Sequence, residues 1–75
     1  MRSLSEISRE ISASWKNVYF GAVPYLNAMR ELDTIDDTYI FDSAESVVRY
    51  FLSNAKTWRG EDARRIKKEL NGMLN

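Results

Sequence analysis

The chain contains no cysteine and no histidine, and its 75 residues include one proline and three glycines. Without cysteine there is neither a disulfide framework nor a thiolate metal site, so packing alone must support a small fold. Without histidine, the commonest zinc ligand and the commonest general base near neutral pH are both missing. Acid-base chemistry would have to rest on groups such as Asp36 and Asp37, and adjacent carboxylates in an acidic stretch are weak parts for it. The sequence also has no phosphate-cradling glycine loop and no dinucleotide fingerprint. No enzyme activity and no cofactor is therefore expected. No apolar run reaches the roughly 18 residues of a membrane-spanning helix. The amino end, with Glu6, Arg9 and Glu10, lacks the apolar region of a signal peptide, so the expectation is a cytoplasmic protein without a membrane role.

What is present describes a small folded domain. Hydrophobic residues make up 44% of the chain and charged residues 29%, which is too apolar for intrinsic disorder. Residues 1–75 have room for a single domain with one modest core, and self-association would add to the surface such a chain can bury. Eleven basic and eleven acidic residues cancel to zero net charge. They are nevertheless segregated: Glu31, Asp33, Asp36, Asp37, Asp42 and Glu45 form a stretch with no cation, and Arg49, Lys56, Arg59, Arg64, Arg65, Lys67 and Lys68 follow with only Glu61 and Asp62 between them. Such asymmetry either orients a partner or a second copy, or is neutralised internally if the acidic loop folds over the last helix.

Hydrophobic periodicity predicts an all-α fold, a compact bundle of about four short helices with one acidic loop. Ser3 and Glu6 have capping-box spacing, and Leu4, Ile7, Ile11, Trp15 and Val18 recur at helical intervals, which places a first helix over residues 4–19. Gly21 breaks it as a left-handed cap, and Pro24 opens a second helix over residues 24–32. Residues 33–42 read as a loop tacked to the core by Ile35, Tyr39, Ile40 and Phe41 with its carboxylates exposed. The loop lacks the central glycine and the alternate-residue ligand spacing of a helix-loop-helix calcium site, so no metal is expected there. Asp42 or Ser43 caps a third helix whose apolar face is Ala44, Val47, Val48, Phe51, Leu52 and Ala55. A short turn then leads to a fourth helix packed against the third.

The fourth helix starts at Thr57 or at Gly60 and buries Ala63, Ile66, Leu70, Met73 and Leu74. Arg64, Lys67 and Lys68 flank one edge of this stripe, Asp62 and Glu69 flank the other, and Glu61 can pair with Arg65 four residues on. Trp58 either seals a corner of the core or stands exposed as a contact residue. Trp58, Arg59, Arg64, Arg65, Lys67 and Lys68 are thus the candidate partner-binding residues, with another protein as the expected partner. The alternative is DNA: the last two helices would form a helix-turn-helix-like pair, with Arg59, Arg64, Arg65, Lys67 and Lys68 meeting phosphates.

The segments Trp15 to Tyr25 and Trp58 to Leu70 resemble small proteins encoded by bacteriophages and prophages. The resemblance covers most of the chain and implies a phage or bacterial intracellular setting and a small accessory or host-interacting role. It transfers no catalytic or binding residue.

Overall fold

A computed structural model describes residues 2–74. Helix α1 (Leu4–Ser14) is followed by a 3₁₀ turn (Phe20–Ala22), α2 (Val23–Met29), a hairpin of β1 (Thr38–Tyr39) and β2 (Asp42–Ser43), α3 (Ala44–Ser53) and α4 (Glu61–Met73). The bundle of four helices matches the expected class, with a small antiparallel hairpin where only loop was expected.

Helix α1 begins as its sequence dictates. The Ser3 hydroxyl accepts from the Glu6 N–H while the Glu6 carboxylate accepts from the Ser3 N–H, which satisfies two otherwise free donors. The next free donors meet the chain beyond α2, with the N–H groups of Leu4 and Ser5 donating to the carbonyls of Asp33 and Leu32. The helix ends at Ser14, several residues earlier than expected. Trp15 turns to an extended conformation and buries its ring, and Asn17, Val18, Tyr19 and Phe20 are all weak helix formers.

Gly21 is not a left-handed cap, since Gly60 is the one glycine with positive φ among the described residues. Gly21 sits in the 3₁₀ turn, where a Cβ would lie 2.6 Å from the Tyr19 ring and 2.7 Å from the Asn54 side-chain oxygen. Close approach therefore accounts for the glycine. Pro24 does occupy the first turn of α2, which buries Leu26, Ala28 and Met29. Single 3₁₀-type bonds carry the chain on to the buried Leu32.

In the acidic segment the Asp37 carboxylate accepts from the N–H groups of Asp33 and Thr34 at 2.9 and 3.0 Å, and the Asp37 carbonyl accepts from Ala44. These bonds bend the chain so that Tyr39 pairs with Asp42 and Thr38 with Ser43. Ile35 and Tyr39 pack on the core as expected. Ile40 and Phe41, expected to do the same, form the two-residue tip and point outward. Ser43 then caps α3 by accepting from the Ser46 N–H.

Helix α4 starts at Gly60, whose φ of 113° suits glycine, and Thr57 takes no part in the cap. The expected packing of α4 on α3 is corrected: α3 lies mainly on α2, and α4 mainly on α1. The cause is the connection over residues 54–60, which buries Ala55 and Trp58 and so holds the two helices apart. One core joins all four helices through Ile7 and Ile11, Leu26 and Met29, Val48 and Phe51, and Ile66 and Leu70.

Candidate functional site

The six residues singled out from the sequence separate into two groups in the fold. Trp58 is 3% exposed, stacked on Trp15 and edge-on to Phe51 at 6.4 Å, so it is the corner of the core. Lys67 donates to the carbonyls of Ala55 and Trp58 at 2.7 and 2.6 Å, with Nζ 5.8 Å from the centre of the Trp58 ring. It fastens the connection between α3 and α4 to the last helix. Burial, followed by the charge of Arg59, pushes its pKa below that of an ordinary lysine. Arg65 pairs with Glu10 and with Asp62, not with Glu61 as expected. Arg59, Arg64 and Lys68 are the members of the set that stay exposed outside any ion pair among the described residues.

The charge network around Arg65 reaches the amino end. Arg2 donates to both Glu10 and Glu69, so the amino end, α1 and α4 meet through two carboxylates. Hydrogen bonds from Arg65 and then Arg2 hold the Glu10 carboxyl below the usual range. Of these cations Arg65 is the one that the sequence alone would assign to a partner.

One concave surface lies at the foot of α4, and others lie beside its far end against the acidic segment. An open cleft of about 430 Å³ is lined by Ser14, Lys16, Asn17, Thr57 and Arg59 over a floor of Trp15 and Trp58. Thr57 also lines a neighbouring cleft of about 270 Å³ with Tyr19, Ser53, Asn54 and Lys56. Neither lining contains a carboxylate, although Asp62 closes one edge by accepting from Ser14 at 3.5 Å. Lys16, Lys56 and Arg59 are exposed around these clefts, and Phe20, 79% exposed, stands against the Tyr19 ring at 4.8 Å. Lys16 and Lys56 were not among the sequence candidates. The available signal was the cluster of aromatic and polar residues at the point where α1 breaks.

The opposite end of α3 carries the acidic segment. Among the described residues none of Glu31, Asp33, Asp36, Asp37 and Asp42 forms an ion pair, and Glu45 pairs with Arg49 of its own helix at 3.6 Å. The acidic loop therefore does not fold over α4 to neutralise it. Among the described residues no group of three or more metal-ligating side chains is placed to hold an ion, and no helix is long and apolar enough to cross a membrane. Comparison of the chain with protein-family models, with curated proteins and with solved structures finds no match.

Proposed function

We propose that this chain is a small noncatalytic module that binds another protein inside a bacterial cell, acting as a phage or prophage accessory on a host or phage protein. The observation that carries the reading is the pair of adjoining clefts, rimmed by Lys16, Lys56 and Arg59, with Tyr19 and Phe20 alongside. Exposed aromatics supply contact area at low ordering cost, and unpaired cations beside them select an acidic partner surface. Of the sequence candidates Arg59 belongs to this surface, Arg64 and Lys68 are solvated cations on α4, and Trp58, Arg65 and Lys67 serve it from behind by holding its shape.

The DNA alternative rests on Arg64 and Lys68, which stay exposed on α4. It loses support from the engagement of Arg65 and Lys67 within the fold and from α4 packing mainly on α1, away from the geometry of a helix-turn-helix.

The test is capture from a bacterial lysate at low and moderate salt, with and without nuclease, comparing wild type with Lys16→Glu/Arg59→Glu and with Arg64→Glu/Lys68→Glu. A defined protein retained after nuclease and lost only with the first variant is the expected result. Nucleic acid recovered at low salt and lost with the second variant would replace this reading by the DNA one.

A further inference from the structure

Phe41 is 97% exposed and Ile40 75% exposed, side by side at the tip of the hairpin. Ile40 adopts a φ of 56°, a conformation that a β-branched residue rarely takes and that glycine would take freely. An aromatic and an aliphatic side chain thus project into solvent at a position where folding favours a small residue. Asp36, Asp37, Asp42 and Glu45 surround this tip in the chain, and none of them pairs with a cation outside its own helix. The tip fits an apolar recess rimmed by positive charge. It does not fit an anionic lipid surface, which the carboxylates would repel.

The chain itself carries a recess rimmed by positive charge, polar along most of its lining, with the edges of Trp15 and Trp58 at its floor. The cleft floored by Trp15 and Trp58 and edged by Lys16 and Arg59, with Lys56 beside it, is the basic counterpart of the acidic tip. The two cannot meet within one molecule. The hairpin leads directly into the amino end of α3, Ser53 and Asn54 at the other end line the second cleft, and the ten residues of α3 span about 15 Å.

Resting on the binding surface proposed above, we infer that its occupant is the Ile40 and Phe41 hairpin of a second copy of this chain. The contact is heterologous: each molecule offers its tip to one neighbour and its cleft to another. Association then propagates head to tail into rings or open chains and does not stop at a symmetric dimer. Phe41 supplies the apolar anchor, and Asp36, Asp42 and Glu45 face Lys16, Lys56 and Arg59 across the contact, so assembly weakens as salt rises.

The experiment is sedimentation equilibrium of the full chain from micromolar to millimolar concentration at low and high salt, on wild type, Phe41→Ser, Arg59→Glu and an equimolar mixture of the two variants. Both substitutions fall on exposed side chains, and circular dichroism melts verify that each variant is folded. Wild type is expected to exceed two chains per particle as concentration rises. Each variant alone is expected to associate roughly tenfold more weakly or less, and the mixture to form pairs that do not grow, because one intact tip and one intact cleft remain between them. A wild type that stays monomeric, association that survives Phe41→Ser, or a mixture that fails to pair would overturn the inference. Capture of a foreign protein by Phe41→Ser, lost in Arg59→Glu, together with a monomeric wild type, would overturn the second copy as occupant while upholding the surface itself. A monomer that binds anionic vesicles only while Phe41 is present would assign the tip to lipid and overturn the inference as well.

Discussion

The rings of Trp15 and Trp58 lie nearly parallel, 12° apart with centroids separated by 5.7 Å, and join the C-cap of α1 to the connection ahead of α4. Phe51 of α3 meets both edge-on, at 6.3 and 6.4 Å. Three segments distant in sequence are thereby locked around one aromatic cluster, and the same two indoles floor the cationic cleft. The core and the candidate surface share these side chains.

Trp58→Ala should therefore cost about 3–5 kcal/mol of stability, a large part of what a domain of this size holds. Trp58→Phe, which keeps an aromatic in the site, should cost less. Urea unfolding followed by circular dichroism measures both, and a loss below about 1 kcal/mol for Trp58→Ala would show that the stack does not hold the fold.

Lys67 and Lys68 are adjacent in sequence and differ in what they touch. Lys67→Met removes the donor from the carbonyls of Ala55 and Trp58 and should destabilise by about 1–3 kcal/mol. Lys68→Met, on the exposed side of α4, should stay within about 0.5 kcal/mol of wild type. Equal effects in thermal melts would contradict the assignment of Lys67 as a tie.

Ile40→Gly should raise stability by about 0.5–1 kcal/mol, because relief of the positive φ outweighs the extra freedom of glycine in the unfolded chain. Its neighbour tests the reverse: Phe41→Ser should leave the melting temperature nearly unchanged, since the ring contributes almost nothing to the core. A large loss from Phe41→Ser would mean that the tip packs on its own molecule.

Acid should weaken the fold in part through three surface carboxyls. Hydrogen bonds from Ser3 hold Glu6 below its ordinary pKa, those from Arg65 and Arg2 lower Glu10, and the N–H groups of Thr34 and Asp33 lower Asp37. Each folded carboxyl takes up its proton at lower pH than the unfolded one. The stabilisation is complete above the unfolded carboxylate range of about pH 4–4.5 and is lost as pH falls through the lower folded values. The melting temperature should change little from neutral pH to about 5 and drop below about 4. Glu10→Gln should lower it at neutral pH and flatten the acid limb.

Much of the architecture was legible because it is local. The capping box at Ser3 and Glu6, the apolar faces of α1, α3 and α4, and Pro24 in the first turn of α2 depend on residues within a few positions of one another. The hairpin was missed because its strands are two residues each, too short for any alternation to register, and its turn is formed by Ile40 and Phe41 where turn chemistry favours glycine or asparagine. The candidate surface was misplaced for a related reason: a basic run counts cations without showing which of them are already engaged.

Residue spacing and type decided the helical class, the caps, the buried stripes and the separation of acidic from basic segments, since each of these follows from periodicity and from chemistry between near neighbours. Only long-range packing decided that Trp58 is buried on Trp15, that Lys67 is held by two carbonyls, that Arg65 pairs with Glu10, and that Lys16 and Arg59 line one cleft with Lys56 in the next. Those contacts join residues far apart in the chain, and a charge or a ring is free to meet a partner only after the fold has taken what it needs.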